Sequence, residues 1–333
     1  MKKLWIFAAL GLAMVGCNPP AASGGETGGG TTGTAATTGG KKLKIGVSIP
    51  AADHGWTAGI GYWAKEAAKS HGDIEWIIED AKSPDEQIKD LENMQTQGVD
   101  GMVILAVDSA PLTPTAEKLK DGGMFIVNVD RGFTKPIADV FIEGDNSAFG
   151  RKSAEFMVQK LGGKGNIVVL EGIAGTTVSQ ARVKAFRDVI AANPGIKIVA
   201  QEAADWNREK AEKVMQNILV SNPQIDAIWA SDDDMALGVE NALKSAGRDK
   251  NIWILGGAGM KDIVKRVMDG DPLYPADITY PPSMIAVGMQ TAAGMLRAGK
   301  DNAKKYMPKH IVLDIDLVTP ENAKDFYFPD SIY

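Results

Sequence analysis

Six short stretches hold most of the side chains that could bind or transform a ligand. Asp53-His54-Gly55-Trp56-Thr57 puts a carboxylate, an imidazole and an indole within five residues. An indole offers an apolar face, and its polar neighbours offer hydrogen-bonding edges. The set suits a sugar ring or a polyol, which has C–H faces and a girdle of hydroxyls; it is equally read as a core Trp with a rim His. Val129-Asp130-Arg131 ends an apolar run with an acceptor beside a rigid fork of donors. This pair grips hydroxyls in a crevice or forms a strand-end salt bridge. Glu171-Gly172-Ile173-Ala174-Gly175-Thr176, with Gln180 and Arg182, makes a polar loop, and Asp205-Trp206-Asn207 puts a second indole before a helix. Ser231-Asp232-Asp233-Asp234 sets three carboxylates at a strand-to-helix junction, where the positive end of a helix favours them. The alternating oxygen-ligand loop of a calcium site is absent, so no metal is expected. Gly256-Gly257-Ala258-Gly259 fits neither the dinucleotide nor the Walker pattern. With no Ser-His-Asp arrangement, no usable Cys nucleophile and three His in all, the chain offers groups for binding and little for catalysis. It is read as a non-enzyme without a cofactor.

These stretches sit at the ends of regularly alternating elements. Apolar, β-branched runs near 43–49, 74–79, 101–105, 124–129, 139–142, 166–170, 196–201, 226–230, 252–256, 274–278 and 311–318 read as strands. Between them, helices are predicted near 58–71, 84–97, 111–121, 147–161, 178–192, 207–220, 234–246, 260–268 and 282–298. Ser83-Pro84-Asp85-Glu86 is a helix start with an N-cap Ser and Pro in the first turn, and Gly98, Gly122, Gly162 and Gly247 stand where helices should end. Trp229 lies inside a strand pattern and reads as core. Repeated βα units imply parallel sheets covered on both faces. The halves starting at 43 and 166 share one plan, with a break near Glu143-Gly144-Asp145-Asn146. If the late extended runs 274–280 and 311–319 both recross, three strands join two domains around a hinged cleft.

The first 41 residues stand apart. Met1-Lys2-Lys3 precedes an apolar run from Leu4 to Val15, and Met14-Val15-Gly16-Cys17 resembles a bacterial lipobox. Residues 1–17 are read as a lipoprotein signal with Cys17 the lipidated residue. Residues 18–41, rich in Gly, Thr, Ala and Pro, are read as a flexible tether. A single cysteine excludes a disulfide framework. The net charge of −6 and the lack of Lys/Arg clusters argue against nucleic acid.

In their order, Val129-Asp130-Arg131, Leu170-Glu171-Gly172-Ile173-Ala174-Gly175-Thr176, Ala204-Asp205-Trp206 and Asp233-Asp234-Met235-Ala236-Leu237-Gly238 resemble the ribose- and galactose-binding family of bacterial periplasmic sugar-binding proteins. The resemblance covers about residues 42–320. It implies an α/β fold of two doubly wound parallel-sheet domains, the type I periplasmic binding protein fold, joined by a three-strand hinge. One lobe would take 42–145 and 280–308, the other 146–279 and 309–333. It also implies a binding protein that hands a neutral monosaccharide or sugar alcohol to the membrane subunits of an ABC importer. The protein would be a monomer, lipid-anchored in the periplasm or at the outer cell surface; a sensing module for a membrane receptor is the alternative. Carried over by position, the family's ligand contacts fall on Asp53, His54, Trp56, Thr57, Asp130, Arg131, Gln180, Trp206, Asp232 and Tyr280. Gln180 would replace an Arg of ribose-type members, Asp232 an Asn, Tyr280 a hinge Gln, and Ala258 an Asp. These departures put the particular sugar in doubt, and ribose is not expected to bind best.

Overall fold

The structure is a computed structural model and describes residues 42–333. The lipobox with Cys17 and the expected tether lie outside the described residues. The chain begins with β1 (Leu43–Pro50), α1 (Gly55–Lys69), β2 (Ile74–Ala81), α2 (Pro84–Thr96), β3 (Gly101–Ile104), α3 (Ser109–Asp121), β4 (Phe125–Val129) and β5 (Val140–Gly144). It continues through α4 (Asn146–Lys160), β6 (Gly165–Glu171), α5 (Thr177–Ala191), β7 (Ile196–Ala203), α6 (Arg208–Ser221), β8 (Ala227–Ala230), α7 (Asp233–Ser245), β9 (Trp253–Leu255), α8 (Lys261–Met268) and β10 (Asp277–Ile278). It then returns through α9 (Met284–Ala298), α10 (Lys300–Tyr306) and β11 (His310–Leu313), and ends with β12 (Leu317–Val318) and a short 3-10 turn at Ala323–Asp325.

Two parallel sheets result, in the orders β11-β5-β4-β3-β1-β2 and β7-β6-β8-β9. Strands β3, β4 and β8 are buried along their whole length, which is why they read as unbroken apolar runs rather than alternating ones. Trp229 of β8 is core as expected: its ring stacks on Phe186 of α5 with centroids 4.0 Å apart. Helix starts follow the sequence signals. The Ser83 hydroxyl accepts from the Glu86 amide at 3.2 Å, with Pro84 in the first turn. Gly98, Gly162 and Gly247 adopt the left-handed backbone that ends helices, but after α3 it is Gly123, not Gly122, that does so.

Three segments connect the sheets: 144–146, 279–283 and 314–316. They are bonded to one another, with Asp145 N donating to Leu313 O at 3.0 Å and Thr279 N to Asp316 O at 2.9 Å. The single strand expected over 311–318 is therefore two. The turn at Asp314–Asp316 lets β11 extend the first sheet in register with β5, while β12 pairs antiparallel with β10. This corrects the lobe boundary. Residues 310–313 belong to the first sheet, and only the chain after the third crossing lies with the second. The extended run at 274–280 shortens to Asp277–Ile278, and beyond the expected helices lies α10, which starts right after Gly299, at φ 88°, ends α9.

Candidate ligand-binding cleft

In each sheet the strand order reverses once, between β1 and β3 in the first and between β6 and β8 in the second. Ligands of doubly wound sheets collect outside the carboxyl ends of strands at such points. Here the loops leaving those ends converge from both lobes on one narrow cavity, lined by aromatic and convergent polar groups as small-molecule sites are. The first lobe contributes His54 and Trp56 after β1 and Asp130 and Arg131 after β4. The second contributes Val178 and Arg182 from α5, Trp206 after β7, Asp232 after β8 and Ala258 after β9, and Tyr280 lies at the second crossing.

On the first-lobe side, His54 caps α1 in a tight polar turn. Its Nδ1 meets Asp53 Oδ1 at 2.6 Å, and the Thr57 hydroxyl donates to the same carboxylate at 2.8 Å. Burial opposes a charged imidazole, but the bond to Asp53 and the charges of Asp232 and Asp53 outweigh it and raise the His54 pKa. The Asp53 carboxyl is lowered to about 2, its partial burial overcome by the bond and charge of His54. Asp53 is largely exposed and Thr57 is spent on the cap. Neither lines the cavity; they set the orientation of His54 instead of presenting groups to a ligand. The Trp56 indole donates to Tyr280 O at 2.8 Å, which fixes its ring against the second crossing.

Asp130 adopts a left-handed backbone, φ 62°. Asn128 braces the turn, donating to Ile104 O and Arg131 O at 3.0 Å each and accepting from Phe133 N. Arg131 is fully buried and donates through Nη1 to Val107 O at 2.9 Å, while its Nε lies 3.7 Å from Asp130 and has no hydrogen-bond partner among the described residues. Burial raises the Asp130 carboxyl against the pull of Arg131 and of the Tyr280 hydroxyl, which donates to it at 2.6 Å.

On the second-lobe side, Asp205 and Trp206 both have positive φ, 55° and 56°. Strained backbone of this kind costs on the order of 1–3 kcal/mol per residue and persists where surroundings enforce it. Gly172 is part of that enforcement: a Cβ there would lie 2.0 Å from Trp206 Cε2. The indole nitrogen of Trp206 is buried and has no partner among the described residues. Asp232 caps α7 by accepting from Met235 N, and burial raises its pKa to about 6 despite His54 opposite. Asp233 accepts from Gly257 N and Met260 N at 2.8 Å each and so pins the loop presenting Ala258. The Gly-rich run there packs closely, since a Cβ at Gly257 would meet Phe149 at 2.2 Å.

The structure corrects one assignment outright. Gln180 is exposed and lines a separate outer groove, whereas Arg182 is buried in the cleft, donating to Asn146 Oδ1 and Ser231 O at 2.9 Å and lying over the Phe149 and Tyr280 rings at 3.9 and 4.3 Å. Helical geometry explains the shift. Val178 and Arg182 are four residues apart on one face of α5, and Gln180 lies about 200° around the helix from each. That periodicity was the signal available in the sequence. Asn146, which donates to Tyr280 Oη at 3.2 Å, stands at the first residue of α4, where the sequence shows only a loop–helix break.

The lobes also touch directly. Gly55 N donates to Asp234 Oδ2 at 2.7 Å, Gly132 N to Thr177 Oγ1 at 3.2 Å, and the Arg131 guanidinium lies 5.1 Å from the Trp206 ring centroid. Residues 45–301 match the model of the periplasmic binding protein domain. The chain belongs to the periplasmic binding protein family. It is 32% identical over 243 residues to the D-ribose/D-allose-binding protein of Pseudomonas aeruginosa, covering 70% of this chain and 76% of that protein. Among solved structures, it resembles a solute-binding protein of an ABC transporter from Mycobacterium smegmatis with bound glycerol, at TM-score 0.80 and 28% identity over 87% of this chain and 99% of the other. It also resembles the Caulobacter myo-inositol binding protein, at TM-score 0.79 and 26% identity over 86% and 96%. As a periplasmic binding protein of type I fold, it belongs with proteins that bind rather than transform their ligands.

Proposed function

We propose that this chain is the solute-binding component of an ABC importer and takes a neutral monosaccharide or sugar alcohol between its lobes by hinge closure. The observation that carries the reading is the cavity itself. Two indoles from opposite lobes line one cavity together with two guanidinium and two carboxylate groups, Arg131 and Asp130 from the first lobe and Arg182 and Asp232 from the second. The indoles suit C–H faces, and a site built to bond hydroxyls rejects ligands that lack them, because unpaired buried polar groups are costly. Ribose, allose, glycerol and myo-inositol, bound by the similar proteins, all fall in this chemical class. A signal ending at Cys17 and a tether would hold the domain, as a monomer, at an extracytoplasmic membrane surface.

Ligand choice rests on fewer departures than the sequence suggested. Arg182 supplies the second-lobe donor, so the loss assigned to Gln180 is not a loss. Ala258, Asp232, His54 and Tyr280 remain as the altered part of the wall, and they favour another pentose, a hexose or a polyol over ribose. A thermal-shift screen of pentoses, hexoses, pentitols and hexitols tests this. A binder at 100 times its Kd should add about 2.7 kcal/mol of stability. No response from any member of the panel rejects the sugar reading, and ribose binding tightest rejects the specificity argument.

A further inference from the structure

The segment from Phe326 to Tyr333 contributes nothing to the cavity wall, yet it ends against the loop that carries His54 and Trp56. It is held on the second lobe. Lys261, at the start of α8, donates through Nζ to Ser331 O at 2.6 Å and approaches Pro329 O at 3.4 Å. The Ser331 hydroxyl donates to Tyr333 O at 2.5 Å and accepts from Tyr333 N at 3.2 Å, which fixes the backbone of the last residue described. Tyr333 itself is 6% exposed.

Its ring rests on the first lobe. A Cβ built on Gly55 would lie 3.0 Å from Tyr333 Cε2, and one on Gly59 would lie 3.4 Å from Tyr333 Cβ and 2.7 Å from Cγ of Pro282. Gly55 and Gly59 are four residues apart on one face of α1, so together they leave a seam without side chains. Tyr333 from one lobe and Pro282 from the second crossing fill it. Gly55 stands between His54 and Trp56 of the cavity wall, and its amide is held by Asp234, which also binds Arg208 at 2.6 Å. The surroundings are costly for a phenol: burial and the carboxylates of Asp232, Asp233, Asp234 and Asp277 push the Tyr333 hydroxyl well above its ordinary pKa. The hydroxyl has no partner among the described residues, so the contact depends on the ring.

We infer that Tyr333 is a positioning residue for ligand binding, a wedge anchored on the second lobe that seats in the Gly55–Gly59 seam and holds the His54–Trp56 loop in place when the lobes are together. The inference rests on the sugar-cleft reading for its effect on affinity, but not for the wedge contact. Rotation about the three crossings would draw α1 away from α7 and α8 and unseat the ring. The wedge therefore acts on the closed state and slows ligand escape more than it changes capture, since a ligand held between the lobes leaves only after the ring has unseated.

Two measurements on the full chain test it. In sugar-free protein, hydrogen exchange at the amides of residues 55–59 should be faster in Tyr333→Ala than in wild type and unchanged in Tyr333→Phe; Lys261→Met, which unties the segment but keeps the ring, should also speed it. With the tightest binder from the pentose, hexose and alditol panel, Tyr333→Ala should raise the dissociation rate about tenfold and leave the association rate within about twofold, and Tyr333→Phe should restore both. Wild-type exchange at 55–59 in Tyr333→Ala and Lys261→Met overturns the wedge even if no sugar binds. Faster exchange with an unchanged dissociation rate overturns its role in binding. A panel with no binder rejects the sugar reading and leaves the exchange result to decide the wedge.

Discussion

Replacing Gly172 with alanine changes no group that would touch a ligand, yet it should damage the cleft. Gly172 is not among the glycines with positive φ, so an alanine backbone is unstrained there and the whole effect is steric. The added methyl would sit 2.0 Å from Trp206 Cε2, against the 3.4 Å at which ordinary contact begins, so the indole must retreat by about 1.4 Å. The indole has little room to do so without cost. Its backbone is already held at φ 56°, and its ring packs beside the Arg131 guanidinium of the other lobe. Overpacking of this kind costs on the order of 1–3 kcal/mol of stability. Misplacement of a site group by ~1 Å can cost about 100-fold, equivalent to roughly 2.7 kcal/mol. Calorimetry with the tightest sugar or polyol should show Kd rising by about that factor, alongside a lower Tm. A Gly172→Ala protein that binds within twofold of wild type would refute the claim that the placement of Trp206 is what the loop is built to hold.

Other outcomes follow from the same geometry. Arg182→Lys keeps the charge but loses the fork that reaches Asn146 and Ser231; it should weaken binding by a few kcal/mol, while Gln180→Ala should leave titration curves unchanged, and the reverse order would undo the reassignment. For Asp232, the folded pKa of about 6 lies above the ordinary 3.8, so the folded state holds its proton longer and stability falls as pH rises between those values. Asp232→Asn keeps the cap and should remove that fall, gaining on the order of 3 kcal/mol at neutral pH by the raised pKa of this fully buried group; urea titrations at several pH values check it, and equal stability at neutral pH would contradict it. Cys17→Ala should abolish membrane retention, and wild-type protein that takes up no tagged fatty acid would contradict the lipoprotein reading.

The sequence alone determined the element plan. Apolar β-branched runs of buried strands, and Ser, Asp and Asn at helix starts, are local signals, because a cap needs only the next few amides. That is why α2 begins at Pro84 as expected and α7 begins at Asp233, one residue before the expected 234. The resemblance read from the sequence also carried Trp56, Asp130, Arg131 and Trp206 as a set, and all four line the one cavity. Tertiary structure decided the rest. Whether His310–Leu313 joins the first sheet depends on a free edge at β5, which no local pattern of 310–313 can reveal. Arg182 faces the cleft and Gln180 does not because α5 turns one face toward Asn146 and Ser231, residues 36 and 49 positions away. Tyr333 finds its place only because two glycines 278 and 274 residues earlier leave a gap of its shape. Local chemistry is written in neighbouring residues, whereas a contact between distant segments exists only once both have been brought to the same point by the packing of everything between them.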